Sequence, residues 1–513
     1  MLFLFLYLLA VPLCAQIDRE GEPLSWQIGF DHTNGSIWKT IPALDIPALL
    51  AEDALQDGNK SVPMRFAKRV LCDINLENSG RWTNLNNGDR IWMCGVEIEE
   101  AYSLGFSIQS LRVPEGGCVY FYTSDKSDFI GPLNRRHNTE DQPFITPPVA
   151  GKRIVIEYYE PHAFRGTGSL QIEAVAAAYI DVKHAPITGN ECFELLSYSV
   201  NNTAQVNASS AVLMSIVDDG QRLGTSVLLN NTASNGIPYI MTAQSMLLGL
   251  PSRWLFLFDI AGSACTNPTV HCWNKAVCGG LIKDTNPETG VALVRLRDMP
   301  RQNWSAFYSG WQTEWVAEER RLFLIQHAFG MPQSLSEFNG QMEITEWQGI
   351  TVAAVDHWND GGTFRGSMGS PLFDEELNLV GIQIGGDLDC EGNGKDYFAM
   401  LSNSWESLKE YLDPFVTGQS KFDGVFPILS ANPSEVEGKP FEVFPNPAKG
   451  WVYLRNLTDE PVRRVEVRDG IGRLVDAFTP LTPSLDISSL PDGIYFLQIS
   501  TDSHLFTHRL LVR

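Results

Sequence analysis

Residues 223–246 read LGTSVLLNNTASNGIPYIMTAQSM, and this stretch decides the fold class. Thr225 to Asn230 is a short β-branched and apolar run, Ser234-Asn235-Gly236 is a turn signal, and a second apolar run ends at Thr242-Ala243. Asn-Gly between two such runs marks a hairpin, because glycine accepts the positive φ that a tight turn demands. The same grammar recurs at 154–160 (IVIEYYE), 169–182 (SLQIEAVAAAYIDV) and 377–386 (LNLVGIQIGG), each run bounded by Gly, Pro, Asn or Asp. Only ALLAEDALQD near 48–57 and SWESLKEYL at 404–412 read as helix. The chain is therefore expected to be all-β, built from sandwiches and barrels.

At 513 residues the chain exceeds one ordinary core and implies two to four domains. Hydrophobic residues at 44% are ample for globular packing, and a net charge of −23 argues against a nucleic-acid partner, whose phosphates such a surface repels. The opening MLFLFLYLLAVPLCAQ reads as a secretory signal peptide cut after Ala15, and no later run is apolar for long enough to span a bilayer. Breaks fall at KHAPITGN (183–190) and in the polar, turn-rich 414–440. The expected order is signal peptide 1–15, N-terminal β domain 16–185, a central domain 186–413, linker 414–440 and a small β domain 441–513.

Without Cys14, eight cysteines remain: Cys72, Cys94, Cys118, Cys192, Cys265, Cys272, Cys278 and Cys390. An even count in an exported chain favours disulfides over free thiols. His271, Cys272 and Cys278 lack the paired CxxC or HxxxH of a zinc site, so disulfide bonding is the preferred reading there. Asp387 to Gly392 opens like a calcium loop but lacks the closing glutamate and contains Cys390. No metal or cofactor is expected.

The stretch at 223–246 resembles the first barrel of secreted bacterial trypsin-fold proteases of the lysyl endopeptidase type, where strand, hairpin and strand lead into Thr-Ala-x-His-Cys. Here Thr242-Ala243-Gln244-Ser245-Met246 places Ser245 at the histidine position. The strand Gly290-Val291-Ala292-Leu293-Val294-Arg295-Leu296 resembles the family's aspartate strand with Gly290 in place of the carboxylate. Tyr308-Ser309-Gly310-Trp311 matches a Gly-Trp landmark, and Gly366-Ser367-Met368-Gly369-Ser370-Pro371 matches the nucleophile loop with Met368 at the serine. The likeness runs over roughly 190–412 and implies a double β-barrel. It further implies a Cys192–Cys390 disulfide, and a second pair lost together at Leu223 and Met246.

The family mechanism needs an oxygen nucleophile, an imidazole to take its proton and a carboxylate to orient the imidazole. Ser245, Gly290 and Met368 supply none of these in the matching places, and the loss of one member alone costs about four to six orders of magnitude. Ser367, Ser370, His327 and His357 are the substitutes weighed, with structural or solvent-exposed roles preferred. The expectation is thus no enzyme but a secreted or surface-attached pseudoprotease that binds peptide or protein ligands. The alternative is an active lysyl/arginyl-type endopeptidase with a rearranged site. Counting back from Ser404-Trp405, Asp396 matches the carboxylate of the family's substrate pocket, which implies a preference for basic side chains. Its plain alternative is capping of the Lys395–Phe398 turn. The amides of Gly366 and Met368 are expected to retain an anion-binding nest.

Residues 441–513 resemble the C-terminal sorting domain of the type IX secretion pathway of the Bacteroidetes. The matching pieces are Val443-Phe444-Pro445-Asn446-Pro447, Gly472-Arg473-Leu474-Val475, Leu485-Asp486-Ile487, Leu490-Pro491-Asp492-Gly493-Ile494-Tyr495-Phe496 and the terminal Leu511-Val512-Arg513. The likeness implies passage across the outer membrane by that machinery, to the surface or the medium. Residues 18–182 resemble the N-terminal extension of secreted relatives, with Ile74 to Gly80, Val113-Pro114-Glu115-Gly116 and Val119 to Tyr122 fitting a β-sandwich that can act as a propeptide.

Overall fold

A computed structural model describes residues 16–29, 37–56, 60–139, 142–182, 192, 209–260, 273–301, 304, 306–315, 318–426, 441–456, 462, 464–469, 474–478, 484–500 and 505–512. The signal-peptide expectation, Cys14, Cys265, His271 and Cys272 lie outside these residues. The chain divides into two compact units, Met1–Gly424 and Val425–Arg513.

Strands dominate the first unit, as their β-branched and aromatic composition requires. In Arg153–Glu160, Ile154, Ile156 and Tyr158 enter one core, with Phe121, Val119 and Trp92. Val155 enters another, with Tyr122, Ile91 and Met93. This is the period of two that a sheet buried on both faces produces. The sheet that holds this strand runs in the order Trp38–Thr40, Arg90–Glu97, Arg153–Glu160, Cys118–Thr123, Phe129–Leu133. Facing it across the first core, through the Phe106 and Phe121 rings at 4.8 Å, is a sheet containing Met64–Asn75, Ser169–Ala178 and Ser103–Arg112.

That second sheet does not stop at the N-terminal region. Met64–Asn75 pairs antiparallel with Gly220–Leu229, with Met64 opposite Leu223 and Ala67 opposite Gln221. Gly220–Leu229 in turn pairs with Ser210–Val217 and Tyr239–Ala243. Sandwich and first barrel thus share one continuous sheet and one core. The second barrel runs Ser334–Gly340, Arg320–Gln326, Pro371–Phe373, Leu379–Gly386, Asp396–Met400, Ile350–Val355, Glu343–Trp347.

The two expected helices are Ile46–Ala54, capped by the Asp45 carboxylate accepting from the Ala48 amide, and Leu401–Leu412. Ser169–Ala178 ends short of 182. The loop between Leu229 and Tyr239 is wider than a tight Asn-Gly hairpin: its turn is closed by the Ser234 amide donating to Asn231 O at 2.8 Å. Part of the stretch read as linker belongs to the barrel, since Lys421–Phe422 pairs with Trp311–Gln312. The second unit is a seven-stranded sheet whose buried residues include Val452, Val465, Leu497 and Leu510. Among the described residues no helix is long and apolar enough to cross a membrane.

The expectation that the cysteines pair is corrected in part. Cys192 and Cys390 are bonded, with Cα atoms 5.7 Å apart. Cys72, Cys94 and Cys118 are free thiols. Cys94 lies in the first core and Cys118 against the second, on opposite faces of one sheet, so those two cannot meet. Burial pushes the Cys94 thiol up to about 11 and the Cys72 and Cys118 thiols to about 12, which leaves all three unreactive.

Candidate active site

Ser245, Gly290 and Met368 lie close together. The Gln244 amide donates to Gly290 O at 2.8 Å, and the Ser245 hydroxyl reaches Met368 Sδ at 3.2 Å. The Met368 loop is sewn onto the first barrel: the Thr225 amide donates to Met368 O at 2.8 Å and its hydroxyl to Gly366 O at 3.0 Å. Glycine is required at 369, where φ is +86° and a Cβ would stand 2.0 Å from Thr225 O. Met368 is buried, and Leu223 and Met246 are fully buried. A Cβ at Gly290 would meet the Ile350 and Ile384 methyl groups at 3.2 Å, so this corner of the site is apolar.

The candidate substitutes lie elsewhere. Ser367 Oγ accepts from the Phe364 amide at 2.9 Å and donates to Gln326 Oε1, while Ser370 Oγ donates to Ser367 O. His327 is wholly buried: Nδ1 pairs with Met331 O at 3.1 Å and Nε2 with Ser210 Oγ at 3.1 Å. Burial lowers its pKa to about 4. Its folded state therefore resists protonation, and its share of stability is complete above about pH 6.5 and is lost as pH falls towards 4. In an NMR titration the His327 imidazole is expected to stay neutral through pH 5; protonation near 6.5 would contradict this burial. His357 is exposed, with Nδ1 2.7 Å from the Asp356 carboxylate and its ring 5.4 Å from Phe338. Among the described residues Gly366 and Met368 donate no amide to a backbone carbonyl.

Asp396 is a buried and heavily engaged carboxylate. It opens the strand Asp396–Met400, opposite Val355 on one side and Gly386 on the other. Fully buried, it accepts from Trp358 Nε1 at 2.9 Å and from the Thr363 hydroxyl. These partners replace the capping role that its place beside Lys395 suggested. Its counter-ion, which no local motif announces, is Lys60 of the N-terminal region, with Nζ 2.8 Å from Oδ1. Lys60 Nζ also donates to Thr363 Oγ1 and Leu388 O, so all three ammonium hydrogens have acceptors. The Lys60 amide donates to Gly386 O at 3.0 Å. Gly386 and Gly385 leave the room for this: a Cβ on the first would lie 2.3 Å from Asp396 Oδ1, and on the second 2.3 Å from Ser61 Oγ. The acidic loop beyond turns inward, with Asp389 accepting from the Glu391 and Asn393 amides.

Comparison with known proteins bears on this geometry. Residues 192–399 match the family model "Lysyl endopeptidase, C-terminal domain", and residues 442–513 match "Secretion system C-terminal sorting domain". Among solved structures, the active form of Rv3671c protease from M. tuberculosis is 13% identical, with 44% of this chain and 91% of that chain covered and a TM-score of 0.31. The HtrA-type protease AlgW with tripeptide is 11% identical, covering 60% and 94%, at 0.31. The MamO protease domain from Magnetospirillum magneticum is 12% identical, covering 40% and 98%, at 0.29. Likenesses of that size leave the assignment to the sequence families. The expectation that the chain is no enzyme is overturned by the match over residues 192–399, which is to an endopeptidase domain. The sorting domain directs the protein through type IX secretion to the cell surface or the extracellular space. Residues 192–399 of the chain are thus similar to a lysyl endopeptidase domain, and residues 442–513 to a secretion-system sorting domain.

Proposed function

We propose that the protein is an exported lysyl/arginyl-type endopeptidase with a rearranged site, whose cleft reads a basic side chain at Asp396. The observation that carries this reading is the lysine ammonium on that carboxylate, with Thr363 and Leu388 O as its further acceptors. A buried carboxylate with a cation-shaped set of acceptors is costly to leave empty, so a basic ligand end is its natural complement. For bond cleavage, Ser245 is the hydroxyl beside Met368. The Gly366 and Met368 amides are the donors suited to an oxyanion. Ser245 Oγ would attack the carbonyl carbon, opening its C=O bond and losing its proton to solvent, since His327 Nε2 is engaged by Ser210. Collapse would break the C–N bond, the amine leaving with a proton from water, and a second water would hydrolyse the acyl ester on Ser245. Without an imidazole at the nucleophile, turnover several orders of magnitude below an intact unit is expected.

The residues Ser245, Gly290 and Met368 favour a second reading, in which the cleft holds basic polypeptides as a binding module. Fluorogenic peptides ending in lysine, arginine or norleucine, with a fluorophosphonate probe and peptide mapping, separate the two. Lysine- or arginine-selective hydrolysis that Asp396→Asn abolishes, with labelling at Ser245, supports the endopeptidase. Selective binding without hydrolysis supports the module. Hydrolysis or binding indifferent to the charged side chain sinks both.

A further inference from the structure

We infer that Lys60 is a ligand of the cleft supplied by the chain itself, and that the N-terminal region keeps basic polypeptides out until Lys60 is withdrawn. The inference rests on the reading of Asp396 as the basic-side-chain site. Three observations beyond the ion pair carry it.

The first is completeness. The ammonium satisfies all its donors inside the pocket, and the backbone beside it joins in through the Lys60 amide on Gly386 O. Lys60 is buried, in a class of residue that is almost never buried without a dedicated partner.

The second is how Lys60 is presented. The helix Ile46–Ala54 precedes it and the strand Met64–Asn75 follows it, and one guanidinium ties the two together. Arg65 Nη2 lies 2.9 Å from Asp53 Oδ1 and 2.8 Å from Glu52 Oε2, and Tyr179 Oη donates to Asp53 Oδ2 at 2.6 Å. Asp53 and Arg65 are both buried. The strand is itself hydrogen-bonded to Gly220–Leu229 of the first barrel. Lys60 is therefore held at the pocket from both flanks, and its effective concentration there is of the order of the mM values found for short tethers, or higher.

The third is the cradle. Gly385 leaves room for the Ser61 hydroxyl, where a side chain would collide, and Trp347, stacked on Tyr397 at 4.8 Å, closes the same wall. The cleft is shaped around the Lys60-Ser61 step as well as around the ammonium.

A tethered occupant weakens an external ligand by the fraction of molecules in which the pocket is open. The test uses the full secreted chain and a fluorescein-labelled peptide with a C-terminal lysine, its affinity read by anisotropy. Lys60→Ala is expected to bind the peptide at least about a hundredfold more tightly than wild type. Lys60→Gln, which keeps more of the packing, is expected to move the same way, and circular dichroism checks that each variant is folded. Asp396→Asn in the Lys60→Ala background is expected to return the affinity to the wild-type level or below. Equal affinity for wild type and both folded variants, still selective for lysine over norleucine, overturns the tethered ligand and leaves the pocket reading standing. No lysine-selective binding to any folded variant overturns the pocket reading and the inference with it.

Discussion

Lys60→Met is expected to lower the unfolding free energy by about 3–5 kcal/mol at neutral pH, the usual cost of removing one partner from a buried ion pair. Lys60 and Asp396 are 6% and 0% exposed at their side chains, so water does little to screen the charge left behind. Methionine keeps most of the volume, which confines the loss to the charge and its hydrogen bonds. Adding Asp396→Asn removes the stranded carboxylate and is expected to recover part of the loss, giving a coupling of at least about 1 kcal/mol in a double-mutant cycle. Urea unfolding followed by tryptophan fluorescence reads both numbers. A single-variant loss below about 1 kcal/mol would mean that the pair is solvated.

The second large effect lies in the disulfide. Cys192 and Cys390 close a loop with a sequence separation of 198, long enough for the bond to restrict the unfolded chain strongly. Replacing both with serine is expected to cost about 2–5 kcal/mol, within the range found for native disulfides. The loss should show as a lower urea midpoint for the double variant and for the reduced wild type alike. An unchanged midpoint after verified reduction would contradict a structural role for this bond.

What the sequence discloses here follows from how local each signal is. The hairpin run at 223–246 and the Gly366–Pro371 loop carry their turn residues next to their strands, so the barrels were legible from short windows. The sorting domain was legible for the same reason. Asp396 could be read as a candidate because Ser404-Trp405 follows it closely, on one strand and the helix after it. Its partner could not: Lys60 is 336 positions away, in a polar stretch with no motif of its own. The fusion of sandwich and barrel into one sheet was equally hidden, because the pairing of Met64–Asn75 with Gly220–Leu229 is an edge contact between distant segments. Cysteine counting misjudged Cys72, Cys94 and Cys118, since parity says nothing about which face of a sheet a thiol occupies. Reading Ser245, Gly290 and Met368 as the absence of an enzyme failed for another reason: residue identity at three points does not exclude a reaction.

Lys60 is held on Asp396 and buried there. Reductive methylation of the native chain with formaldehyde and a borane reductant, followed by peptide mass mapping, tests it most directly, because only an accessible amine reacts. Lys152 and Lys409, 45% and 49% exposed at their side chains, are expected to be dimethylated early. Lys60 is expected to stay unmodified over the same interval and to become reactive in Asp396→Asn. Methylation of Lys60 in the wild-type protein as fast as of Lys152 and Lys409 would contradict the account.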